Sequence, residues 1–195
     1  MTPRFSLCVY CGSRTGADPR FVQVAADVGR WIGTHGGQLV YGGGNNGLMG
    51  VLATAALEAG ARVVGVIPHS MVEREWAKRD CTELHIVDNM HQRKSLMAER
   101  ADAFLALPGG IGTFEELFEV WSWRMLDFHR KPVGILDAGG YYRTLLQFLE
   151  QSVGHGFMND RQMELLTVDS DADRLLPRLV QAAGIDPSPV DVSQI

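Results

Sequence analysis

The chain has 195 residues, 46% hydrophobic and 21% charged, with a formal net charge of −5. That length suits one domain with a substantial core. The acidic balance, without any run of Lys or Arg, argues against nucleic acid or a membrane surface as partner. No uncharged apolar stretch is long enough to cross a bilayer, and three cysteines without a secretory signal point to a reduced, cytoplasmic protein.

Strand and helix signals alternate along the chain. Segment 5–10 reads as a strand and 19–35 as a helix. A short strand at 37–41 precedes a glycine cluster and a helix over 47–59. Segment 62–67 is a third strand and 84–87 a fourth, with a helix over 91–101. A fifth strand, 103–107, leads through Pro-Gly-Gly into a helix over 113–126. A sixth strand at 133–136 precedes a helix over 141–153; 165–168 and 171–183 are the last strand and helix. Short apolar runs separated by helical patterns predict βαβ units and a parallel sheet. The expected fold is therefore α/β: a Rossmann-like, open, mainly parallel sheet of about seven strands with helices on both faces. Residues 1–183 form the single domain, and the proline-containing tail 184–195 is expected to be flexible. Ligands of such sheets sit at the carboxyl ends of strands, where the chain order reverses.

Cys8 and Cys11 form a C-x-x-C pattern, but on a predicted strand. Residues three apart on a strand face opposite sides, so the pair reads as two core residues rather than a redox or metal motif. The six histidines show no metal-ligand spacing, and His91 reads as exposed or helix-capping. No metal site and no G-x-S-x-G elbow is expected.

Two glycine-rich strand-to-helix turns stand out. Tyr41-Gly42-Gly43-Gly44-Asn45-Asn46-Gly47-Leu48-Met49-Gly50 leaves backbone N–H groups open to an anion, yet it matches neither a Walker loop nor a dinucleotide fingerprint. Its simpler reading is a tight turn. Leu107-Pro108-Gly109-Gly110-Ile111-Gly112-Thr113-Phe114-Glu115-Glu116 opens a helix whose dipole favours a phosphate. Thr113 and Glu116 also fit a T-x-x-E capping box, so Glu116 has a structural reading as well as a chemical one. A third segment, Met90-His91-Gln92-Arg93-Lys94-Ser95-Leu96-Met97, puts two adjacent cations beside an apolar stripe, which calls for an anion if they are buried. Otherwise they form a solvated face.

Together, residues 41–50, 90–97 and 108–116 resemble the signature of the Lonely Guy (LOG) family, whose older label is lysine decarboxylase-like. The resemblance runs from Cys8-Val9-Tyr10-Cys11-Gly12-Ser13 to about Phe157. It implies a Rossmann-like homodimer with the site partly at the dimer interface. It also implies hydrolysis of the N-glycosidic bond of a purine nucleoside 5′-monophosphate, AMP or an N6-substituted AMP, without a cofactor. By position it makes Arg93 and Glu116 the catalytic pair. Glu75, Lys94 and the loop Gly109, Gly110, Ile111, Gly112, Thr113, Glu115 and Glu116 become substrate contacts. Ser122 stands where plant members carry Thr. Ser13, Gly43, Gly44, Gly47 and Met49 complete the candidate substrate contacts. The segment Met71–Asp80 departs from the plant pattern and leaves base preference open.

A carboxylate such as Glu116 suits the oxocarbenium-like charge that develops as the C1′–N9 bond breaks. One rival reading is a nucleotide or molybdenum-cofactor carrier on the same fold, since fold alone does not fix function. Another is pyridoxal-phosphate-dependent decarboxylation, which needs a Schiff-base lysine from among Lys78, Lys94 and Lys131. A purely structural oligomer is the third.

Overall fold

In the computed structural model, which describes residues 2–72 and 77–188, seven strands form one wholly parallel sheet. The strands are β1 (Ser6–Tyr10), β2 (Gln38–Tyr41), β3 (Arg62–Pro68), β4 (Glu83–Val87), β5 (Ala103–Ala106), β6 (Val133–Leu136) and β7 (Leu166–Asp169). Their order across the sheet is β4-β3-β2-β1-β5-β6-β7. The chain builds outward from β1 through β4, then returns to lay β5 on the other side of β1, with Leu7 opposite both Leu39 and Ala103. The reversal lies between β1 and β5, and a crevice opens there at their carboxyl ends.

The helices are α1 (Pro19–Thr34), α2 (Gly47–Glu58), the short α3 (His69–Val72), α4 (Met90–Glu99), α5 (Ile111–Met125), α6 (Arg143–Gly154), the short α7 (Asp160–Met163) and α8 (Ala172–Ala182). Strand periodicity splits the core into two layers. Leu7, Val9, Leu39, Val63 and Leu105 face α1, α2 and α8, while Cys8, Tyr10, Val40, Val64 and Phe104 face α4, α5 and α6. Burial of both faces explains the near-continuous apolar strands. It also separates Cys8 from Cys11, which lie in different layers as free thiols.

The predicted elements match the structure to within a residue or two. The helices α3 and α7 and the 3-10 turn at Ala138–Gly140, absent from the sequence reading, are too short to carry a period. The predicted helix from 141 starts instead at Arg143, because Gly139 and Gly140 take positive φ and turn the chain first. The helix after β5 starts at Ile111 rather than 113.

The segment after α8 is described as far as Ser188. Ile185 packs on the core, and Arg4 reaches back to the carbonyl of Asp186 at 3.2 Å. Residues 189–195, the rest of the tail expected to be flexible, lie outside the described residues.

Candidate active site

A cleft of about 580 Å³ fills the crevice between β1 and β5. Among the described residues, three charged side chains line it: Arg14, Arg93 and Glu116. Arg93 and Glu116 are only 8% and 7% exposed, so their pairing decides whether either can be tolerated there.

Arg93 lies in the first turn of α4, whose start is capped by Asn89 accepting from the Gln92 N–H. From there its guanidinium reaches β3 and the turn that follows β2. Nε donates to the Val66 carbonyl at 3.1 Å, Nη2 to the Gly42 carbonyl at 3.2 Å, and Nη1 to Glu116 Oε1 at 3.0 Å. Three of its five N–H groups are thereby fixed, and two remain. Gly42 makes this possible. A Cβ at that position would stand 1.8 Å from Arg93 Nη2.

Glu116 lies on α5, one turn and a half inside a helix whose N-cap is Gly110. This placement overturns the capping-box reading. Because α5 starts at Ile111, Thr113 is inside the helix and is not its cap, and the Glu116 carboxylate points to Arg93. Burial pushes the Glu116 carboxyl up to about 7; Arg93 pulls it back down, and Glu115 adds a smaller upward push. Desolvation outweighs the single ion pair, so the group titrates near neutrality.

The two glycine turns behave differently. In the 42–47 turn, the Leu48 and Met49 N–H groups both donate to the Gly12 carbonyl, at 3.0 and 3.4 Å, and the Gly43 carbonyl accepts from the Lys78 N–H at 2.9 Å. Gly47, at φ +60°, abuts the backbone of Ser13 and Arg14. This loop is packed against protein, which corrects the expectation that its amides stand open to an anion. In the 108–113 turn, the N–H groups of Ile111, Gly112 and Thr113 have no carbonyl one turn back within the helix. A Cβ on Gly110 or Gly112 would meet nothing within 4 Å, and Ile111 is 86% exposed. The Tyr142 hydroxyl donates to the Leu107 carbonyl at 2.7 Å, and that of Tyr141 to the Gly109 carbonyl, holding the turn in place.

Of the expected site residues, the cleft gathers Ser13, Gly44, Met49, Arg93, Gly109, Gly110, Ile111, Gly112, Thr113 and Glu116. Gly43 and Gly47 shape the adjoining loop without lining the cleft. Lys94 and Glu115 also lie outside it: Lys94 is buried, paired with Glu119 at 2.9 Å and with Glu115. Ser122 is exposed further along α5. Glu75 lies outside the described residues.

The sequence reading missed Phe21, Tyr141, Ile67, Met71 and Arg14 as lining residues. Phe21 and Tyr141 meet edge to face at 5.6 Å on the rim; each looked like an ordinary apolar helix position. Arg14 had a signal, standing four residues past the end of a strand that borders the chain reversal.

None of the three lysines lines the cleft. Lys78 pairs with Asp80 at 3.0 Å, Lys94 with its two glutamates, and Lys131 Nζ donates to the Ala98 carbonyl at 2.7 Å. A Schiff-base reading has no amine in place.

A parallel α/β sheet with a buried guanidinium–carboxylate pair beside an open helix N-terminus, at the switch point, defines a small-anion site of the nucleotide-binding kind. A family model described as possible lysine decarboxylase matches residues 49–179. A cytokinin riboside 5′-monophosphate phosphoribohydrolase of Rhodococcoides fascians is 47% identical over 173 residues, covering 88% of this chain and 87% of that protein. The Arabidopsis thaliana enzyme LOG3 is 41% identical over 177 residues, covering 91% and 82%. Among solved structures, the molybdenum-cofactor carrier protein of Chlamydomonas reinhardtii superposes with a TM-score of 0.69 at 20% identity, over 94% of this chain and 99% of that one. That likeness concerns the fold alone. The chain belongs to the Lonely Guy family of cytokinin riboside 5′-monophosphate phosphoribohydrolases. Among the described residues, no helix is long and apolar enough to cross a membrane.

Proposed function

We propose that the protein hydrolyses the N-glycosidic bond of a purine nucleoside 5′-monophosphate, AMP or an N6-substituted AMP, to the free base and ribose 5-phosphate. The observation that carries this reading is the Arg93–Glu116 pair, 3.0 Å apart and buried in the cleft beside the first turn of α5. A carrier needs anion donors, but gains nothing from a carboxylate buried at a cost and aimed into the site.

In this mechanism the 5′-phosphate sits on the N–H groups of Gly112 and Thr113, where the α5 dipole favours negative charge. Binding energy from the phosphate aligns the ribose. As the C1′–N9 bond lengthens, positive charge builds on the ribose, and ionised Glu116 stabilises it and orients the attacking water. The water oxygen bonds to C1′, and the base leaves with the bonding pair and a proton. Arg93 acts mainly by holding Glu116 in one geometry, and its two remaining N–H groups can face the ribose. Lys94 we assign to fixing α5 against α4 through Glu115 and Glu119. The apolar lining from Ile67, Met49 and Met71 suits a purine and its N6 substituent.

A cytoplasmic homodimer belongs to the same proposal. The three cysteines are free, and Met125, Leu126 and Phe128 form an exposed apolar end to α5. Sedimentation would read the dimer directly.

The deciding experiment is chromatography of base released from AMP and from isopentenyladenosine 5′-monophosphate, with the matching nucleosides as controls. Release from the monophosphates alone supports the proposal, and the ratio ranks the two substrates. Folded protein that binds them but releases nothing would overturn it in favour of a carrier.

A further inference from the structure

We propose that Arg14 is a specificity residue of this site, pairing with the substrate 5′-phosphate from the β1 side of the cleft. The inference rests on the monophosphate reading above.

Charge accounting leads to it. A phosphate monoester carries roughly −1.5 to −2 at neutral pH, whereas the end of a helix supplies only about half a positive charge. Of the three charged side chains that line the cleft among the described residues, Arg93 and Glu116 neutralise one another. Arg14 is the remaining cation, and among the described residues it has no carboxylate partner. A guanidinium fork also matches phosphate oxygens in pairs, which an ammonium does not.

The backbone beneath Arg14 is held in place, although its side chain is exposed. The Gly12 N–H donates to the Pro108 carbonyl at 3.0 Å, and the Gly12 carbonyl accepts from Leu48 at 3.0 Å. A Cβ on Gly47 would lie 2.4 Å from the Arg14 nitrogen, and one on Gly12 would lie 3.4 Å from the Gly109 Cα. The loop that bears Arg14 is therefore pressed between α2 and the turn that opens α5. That fixes the origin of the side chain beside the open amides while leaving its guanidinium free to meet a ligand.

Arg14→Ala and Arg14→Lys would be compared with the unaltered protein in base release from AMP. Ribose 5-phosphate and adenosine would serve as competing ligands, and ribose 5-phosphate would also be titrated by calorimetry. Loss of a charged hydrogen-bonding pair predicts that Arg14→Ala raises KM and the ribose 5-phosphate Kd together by about ten- to a hundredfold. The adenosine inhibition constant and Tm stay unchanged, and kcat moves by no more than about threefold. Arg14→Lys recovers part of the loss. An unchanged ribose 5-phosphate Kd, or equal weakening of adenosine, overturns the assignment. So does a failure of the unaltered protein to bind ribose 5-phosphate at all. If the unaltered protein binds ribose 5-phosphate but releases no base from any monophosphate, the hydrolase reading fails, and the calorimetric comparison still decides the role of Arg14.

Discussion

The turns at 42–47 and 108–113 have similar compositions and occupy equivalent places, each joining a strand to the helix that follows, yet they serve opposite ends. At 42–47 the missing side chains make room for protein. Gly42 admits the Arg93 guanidinium, and Gly47 admits the backbone of Ser13 and Arg14. At 108–113, Gly110 and Gly112 face open space at the mouth of the cleft. Glycine richness after a parallel strand therefore does not by itself mark an anion cradle. What matters is whether the helix amides behind it already have partners: Leu48 and Met49 do, with Gly12.

The largest effects belong to the carboxylate that stands between the two turns. Glu116→Gln should lower kcat by about 10²–10⁴-fold, the range lost with a positioned acid–base group, while the fold and phosphate binding persist. Gln can still accept from Arg93 Nη1. Activity per folded molecule, measured alongside the circular dichroism melt, checks this. A variant that melts early but turns over normally would reduce Glu116 to a packing role.

Gly42→Ala tests the packed turn. The new methyl competes directly with Arg93 Nη2, and overpacking of this kind costs about 1–3 kcal/mol. Denaturant melts should show that loss. Activity should fall further than stability explains, because Arg93 and with it Glu116 must shift. Unchanged kinetics would mean that the guanidinium geometry is unimportant to turnover.

pH sharpens the same point. If Glu116 works ionised, kcat/KM should fall as pH drops through about 7, tenfold per unit below it. Stability should run the other way. The folded protein holds a proton on Glu116 up to about 7, whereas an ordinary glutamate releases it near 4.5. This contribution is complete below 4.5 and is lost as pH rises to about 7, with a slope of at most about 1.4 kcal/mol per unit. Glu116→Gln should remove that slope, as melts across pH 4.5–7.5 would show. A flat kcat/KM profile across the same range would refute the ionised role.

Much of this was legible in the sequence because it depends on local period. Strands such as Val63-Val64-Gly65-Val66-Ile67 announce burial on both faces, and Pro-Gly-Gly before an apolar-striped helix announces an open N-terminus. What escaped depends on distance in space. Nothing near Phe21 or Tyr141 indicates that an α1 aromatic meets one from the turn after β6 at the cleft rim. In the sequence, Arg93 and Lys94 call for an anion if buried, without saying whether ligand or protein supplies it. The structure shows both answered by carboxylates of α5, which no spacing within α4 could reveal. The T-x-x-E pattern misled for a similar reason. Capping depends on where the helix starts, and glycines 110 and 112 let it start two residues early.

The smallest effect tests the open turn and separates it most cleanly from the packed one. Gly112 lies inside α5 with nothing near its missing Cβ. Gly112→Ala should therefore leave stability unchanged or raise it by up to about 1 kcal/mol, since alanine favours helix. The same methyl narrows the approach to the first-turn amides, so KM for a monophosphate should rise several-fold with kcat nearly constant. Gly42→Ala is expected to lose stability and rate together; Gly112→Ala should give up only affinity. If Gly112→Ala instead binds its substrate normally, the phosphate lies elsewhere in the cleft, and the difference between the two turns is one of packing alone.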